Sequence, residues 1–196
     1  GYDALAIIVN RENPREGMTT FELREIYTGR VRMWDAAPRW AREIVLVSKQ
    51  VERATLAVFE EYTGLVSPAH DGADDGGNIG NEGRIAADAW EAGSNLNSIQ
   101  WVGGVPDAIG FVSNGVADQF IALGHPIKKL TLDGVRADGR AIESGVYPIV
   151  RELNLAYHGG DEFALDLVRY MELEAGRAAI RARGYVPAAR SEANSR

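Results

Sequence analysis

Three observations in the sequence predict an α/β fold. A short β-branched apolar run, "ALAIIVN" (residues 4–10), is followed by an amphipathic stretch with helix-start and helix-stop residues. A second apolar run, "EIVLVS" (43–48), is followed by a second amphipathic stretch (52–64), and a third, "DAIGFVS" (107–113), by the helical "NGVADQFIALG". Alternation of buried strands and helices is the pattern of an α/β domain with parallel strands.

The elements follow in order. In 4–10, consecutive Ile7, Ile8 and Val9 favour a strand covered on both faces, closed by Asn10 and Pro14. In "MTTFELREIYTG", Thr19 and Glu22 have the spacing of a capping box, Met18 and Leu23 that of a hydrophobic staple, and Gly29 stands where a helix commonly stops. Leu56, Phe59 and Tyr62 form an apolar helical face, closed by Gly64. Residues 65–83 are rich in glycine and acid without periodicity and read as a long loop. "RIAADAWEAG" reads as helix, "SIQWVGG" as the start of another, "IKKLTLDG" as a strand entering a turn, and "VYPIVRELNLAY" as a strand interrupted by Pro148. "DEFALDLVRYMELEAGRAAIRARGYVPAA" reads as one long or two consecutive helices, and 189–196 as a disordered tail.

Composition narrows the function. The chain has 196 residues, 45% of them hydrophobic and 25% charged, with net charge -7. That balance disfavours a nucleic-acid backbone or an anionic membrane as main partner, while a pocket for a small anion depends on its local field. No run reaches the ~18 apolar residues of a membrane span. There is no cysteine, so disulfides, thiolate metal sites and a cysteine nucleophile are excluded. His70, His125 and His158 are scattered in turn-forming surroundings and read as loop histidines. The loop "DGADDGGNIGNEG" lacks the ligand spacing of a calcium loop. Adjacent carboxylates such as Asp74/Asp75 and Glu60/Glu61 are not arranged for acid–base work. No catalytic, metal or cofactor motif is present, and the expectation is a non-enzymatic protein without a cofactor.

Six separated stretches in matching order, "YDALAIIVNRENP", "MTTFELREIYTGRVRMW", "GNEGRIAADAW", "GVPDAIGFVS", "GVYPIVREL" and "VRYMELEAGRAAIRARGYVPA", resemble the periplasmic phosphate-binding proteins of ABC phosphate transporters. The resemblance implies a type II periplasmic-binding-protein-like fold: two lobes joined by hinge strands, with the ligand in the cleft between them. Residues 1–140 would form the hinge strand and a nearly complete second lobe, and 141–188 the returning strand and closing helices of the first. A complete relative has roughly a further half-lobe before the hinge strand, carrying part of the ligand site, so the first lobe here is expected to be incomplete.

The resemblance also places a ligand-binding turn. The family's strand corresponding to "EIVLVS" is followed by an Arg and a Gly-Ser-Gly-Thr turn opening a helix. There, free N–H groups, hydroxyls and the helix dipole suit a tetrahedral oxyanion. Here Thr55 falls on the Thr, Ala54 and Glu52 on the glycines, Arg53 on the Ser and Lys49 on the Arg. Lys49, Arg53 and Thr55 are the expected contacts, and Asn81 joins them from the family's GN-D/E-G element. Lys49 keeps the charge without the guanidinium fork, and Glu52 brings a carboxylate to the helix start, where it can act as the dipole's partner.

Two functions compete. One is an exported receptor, periplasmic or extracellular, that passes phosphate or another oxyanion to a transporter permease. The other is a family member without a small ligand, working through a protein partner. The incomplete lobe supports the second, because its apolar surface calls for a cover, a second copy of the chain or a separate polypeptide supplying the absent half-lobe, and the purified chain is then not expected to be a simple monomer.

Overall fold

The computed structural model describes residues 1–34, 40–70 and 83–188. The expected terminal tail and most of the glycine- and acid-rich loop lie outside the described residues. In chain order the elements are β1 (Tyr2–Asn10), β2 (Gly17–Met18), α1 (Thr20–Tyr27), β3 (Met33–Trp34), β4 (Arg42–Glu43), β5 (Val45–Lys49), α2 (Ala54–Thr63), β6 (Leu65–Val66), β7 (Gly83–Arg84) and β8 (Trp90–Ala92). They continue with α3 (Asn95–Gly104), β9 (Ala108–Ser113), α4 (Asn114–Ala122), β10 (Ile127–Lys129), β11 (Thr131–Leu132), α5 (Gly139–Glu143), β12 (Val150–Glu152), α6 (Glu162–Glu172) and α7 (Glu174–Ala182).

The main sheet has strand order β10-β1-β9-β5-β8. The expected parallel pairing holds for β5 with β9 and with β8. It fails for β1, which runs antiparallel to β9, Leu5 opposite Ser113 through Val9 opposite Ile109, and antiparallel to β10. The reason is that β1 is a through-strand. Its second half builds the main sheet, while its first residues pass the end of β9 and pair with β12, Tyr2 opposite Glu152 and Ala4 opposite Val150. On the other edge Tyr2 exchanges backbone hydrogen bonds with Val186 at 2.7 and 2.9 Å. Val150–Glu152 and Val186 therefore flank the start of β1.

Strand alternation sends β9 side chains to two helical layers. Phe111 stacks on Phe59 of α2, with centroids 4.1 Å apart, and meets Tyr27 of α1. Its neighbour Gly110 faces α3, where a Cβ would meet Val102 at 3.0 Å, so glycine allows the helix to close onto the sheet. Ile7, Ile8, Val9, Val47 and Phe111 are fully buried, as their unbroken apolar runs predict.

Local signals fared unevenly. The capping box of α1 forms as expected, Thr19 accepting from the Glu22 backbone and Glu22 from that of Thr19. Gly64 ends α2 at φ 69°, the left-handed conformation that suits glycine. The expected helix at "RIAADAWEAG" is instead a turn between β7 and β8. Backbone pairing of Trp90–Ala92 alongside Val47–Lys49 outweighs the helix propensity of its alanines. The strand expected over "VYPIVRELNLAY" contracts to Val150–Glu152.

Candidate functional site

Because β5, β8 and β9 are parallel, their carboxyl ends, at Lys49, Ala92 and Ser113, lie along one edge of the sheet, and α2, α3 and α4 start there. In α/β sheets ligands settle in the crevice outside such an edge. The three helix starts differ. In α3 the Ser94 side chain accepts from the Asn97 N–H at 3.1 Å, so its first turn caps itself. In α4 the hydroxyl of Ser113 donates to Asp3 at 2.8 Å instead of capping, and the backbone of Gly184 lies directly against Gly115.

The start of α2 has neither device. Its N-cap is Arg53, which makes no side-chain capping bond, and no acid lies in its first turn. The Ala54 and Thr55 N–H groups, first in the helix, have no acceptor in the helix. Glu52 precedes the cap, exposed, at φ 73°, and its carboxylate makes no hydrogen bond among the described residues. Glu52 therefore accepts no hydrogen bond from the first amides of α2 among the described residues. Its backbone instead adopts the left-handed conformation for which glycine is the natural residue, and the glycine that the resemblance places here fits this geometry.

The expected site residues fall as follows. Lys49 closes β5 with its side chain on the α3 face, 1% exposed, donating to the Ser94 carbonyl at 2.9 Å and the Ser98 hydroxyl at 2.6 Å. Burial, reinforced by the nearby positive charge of Arg53, brings its pKa down to about 7. Arg53 is exposed and Thr55 half-buried, one residue either side of Ala54. The fold thus brings Lys49, Arg53 and Thr55 to one strand-to-helix junction, and Asn81 lies outside the described residues. Among the described residues no carboxylate is within ion-pair distance of Lys49 or Arg53. Two cations not ion-paired among the described residues and two free amides constitute a local field that favours an anion, opposed by the exposed carboxylate of Glu52.

Sequence reasoning missed Ser94 and Ser98, which hold Lys49, and a buried cluster at the start of β1. There Asp3, 3% exposed, accepts from Ser113 and from both Nε and Nη2 of Arg151, at 3.2 and 2.8 Å. Ser94 carries a cap signal, the serine three residues before Asn97. The Asp3 cluster carries none, since its members come from three distant strands.

The described residues hold no group of His, Cys, Asp and Glu able to bind a metal, and no helix among them is long and apolar enough to cross a membrane. No curated protein matches the chain. Solved structures do. PstS from Borrelia burgdorferi superposes with TM-score 0.71 at 19% identity over 96% of this chain and 70% of its own. An ABC-type phosphate transport receptor from Vibrio cholerae gives TM-score 0.71 at 23% identity over 94% of this chain and 69% of its own. A Clostridium perfringens protein solved with bound phosphate gives TM-score 0.75 at 20% identity over 96% and 70%. Such identities establish the fold, a two-lobed α/β architecture of which this chain spans about 70%. The family model described as PBP superfamily domain matches residues 1–171, and the chain belongs to that family.

Proposed function

We propose that this protein is a non-enzymatic binding protein for phosphate or a like tetrahedral oxyanion in ABC transport, holding the anion at the start of α2. The observation that carries the reading is the uncapped α2 N-terminus, with the Ala54 and Thr55 amides free beside two cations that have no carboxylate partner among the described residues. Support comes from the phosphate-transport names of the structural neighbours and from the phosphate bound in the Clostridium perfringens structure. In this reading Arg53 and the Thr55 hydroxyl touch the anion, Lys49 supplies charge from beneath, and Asn81 is a further ligand residue. Residues 1–140 are the ligand-bearing lobe with its hinge strand, and 141–188 belong to the other lobe. The protein works in the periplasm or outside the cell, with a transporter permease as partner.

The test is isothermal titration with phosphate, then sulfate, arsenate and molybdate. Saturable micromolar heat is expected, lost in Lys49→Ala. Glu52→Gly is expected to tighten phosphate several-fold by removing an opposing carboxylate, and to stabilise the fold by about 1 kcal/mol by relieving the left-handed backbone. Absence of heat with every oxyanion, from a chain shown to be folded, rejects the reading.

A second reading, a partner-binding member of the family, is favoured by one specific feature. The face of α6 formed by Phe163, Leu167 and Tyr170 is exposed, Phe163 at 78%, and among the described residues β12 has a strand neighbour only on its β1 side. Sedimentation at micromolar concentration checks it. Association weakened by Phe163→Lys is its expected result, and a strict monomer counts against self-association through this face.

A further inference from the structure

We infer that anion binding at the start of α2 is coupled to the uptake of a proton, carried by Lys49. The inference rests on the oxyanion reading above and adds the regulation of that site. It starts from geometry. An ammonium group has three donors, and Lys49 uses two of them on the neutral oxygens of Ser94 and Ser98, with no carboxylate at hand among the described residues, in a buried position.

Among the described residues the neighbouring elements supply little else. From α3 come Ser94 and Ser98; β9 ends on this edge in Val112 and Ser113, both uncharged. Glu91 of β8 and Glu52 before α2 are exposed, and neither is bonded to Lys49. Arg53 is the charge that Lys49 feels, and it is repulsive. A buried cation in this setting loses its proton near neutrality, as burial of a lysine demands.

An oxyanion at the α2 N-terminus supplies the missing countercharge. It favours the ammonium form of Lys49, so the ligand and a proton bind together and each strengthens the other. The sign follows directly. Below about pH 7 Lys49 is already protonated and affinity is flat; above it, each bound anion must bring a proton, and affinity falls as pH rises. An arginine, the residue that the family resemblance places here, would stay charged throughout and give no such coupling.

Sulfate is the suitable probe, because it has no proton of its own to gain or lose across this range. Its dissociation constant is expected to be constant below about pH 6.5 and to rise by up to about tenfold per pH unit between pH 7 and 9. Lys49→Arg is expected to bind sulfate with a flat profile. A second readout needs no variant: calorimetry at pH 8 in buffers of different ionisation enthalpy should give close to one proton taken up per sulfate. Sulfate bound with the same affinity and no proton uptake from pH 6 to pH 9 overturns the coupling while leaving the oxyanion reading intact. No sulfate or phosphate binding at any pH, from a folded chain, overturns the oxyanion reading and the coupling with it.

Discussion

Gly184→Ala should be among the most destabilising single-methyl additions to this protein, costing about 3–4 kcal/mol. Two penalties add. Gly184 sits at φ 80°, where an L side chain costs about 1–2 kcal/mol. A Cβ there would also stand 2.3 Å from the Cα of Gly115 and 3.0 Å from its carbonyl carbon, and these are backbone atoms of α4 that cannot rotate away. Overpacking of that kind costs about 1–3 kcal/mol. For a chain of this size the sum corresponds to a loss of about 10 °C in melting temperature. Gly124→Ala is the internal control: its φ is 86° but nothing lies within 4 Å of the added methyl, so only the backbone penalty should appear. Equal losses in the two variants, read by thermal unfolding, would show that the contact between α4 and the turn after α7 is not tight.

Asp3→Ala should cost about 3 kcal/mol, read as a lowered urea midpoint at unchanged slope. Its carboxylate is 3% exposed and is the shared acceptor for the Ser113 hydroxyl and two guanidinium nitrogens of Arg151. Removing it leaves a partly buried guanidinium without its bidentate partner and a hydroxyl without an acceptor. Asp3→Asn, which keeps the shape and one acceptor oxygen, should cost less. The cluster ties β1, β9 and β12 at the point where β1 leaves the main sheet, so its loss should loosen β12 before the sheet core. Hydrogen exchange of the Val150–Glu152 amides reports this directly, and protection there unchanged by Asp3→Ala would contradict the assignment.

What the sequence made legible was local. Thr19 and Glu22 announce their capping box, Gly64 its helix stop, and the runs containing Ile7 and Phe111 their burial, because each signal lies within a few residues. The strand at Trp90–Ala92 was misread as helix because its conformation is set by pairing with β5, more than 40 residues away. The same distance hides the partners of Lys49. Sequence places a cation at the end of β5, but does not show that Ser98, a turn into another helix, accepts from its ammonium group. The meaning of Glu52 was likewise half visible. A glycine in relatives hints at special backbone, and only the positive φ shows that this residue bends the chain into α2 without capping it.

The account stands on anion binding at the start of α2, and nuclear magnetic resonance of the 15N-labelled chain titrated with phosphate at pH 6 tests it most directly. The Ala54 and Thr55 amides, free at the helix start, should shift together and saturate with one dissociation constant, with Lys49 and Ser94 following more weakly. Unchanged Ala54 and Thr55 resonances at millimolar phosphate, or shifts scattered over the surface without saturation, would contradict it.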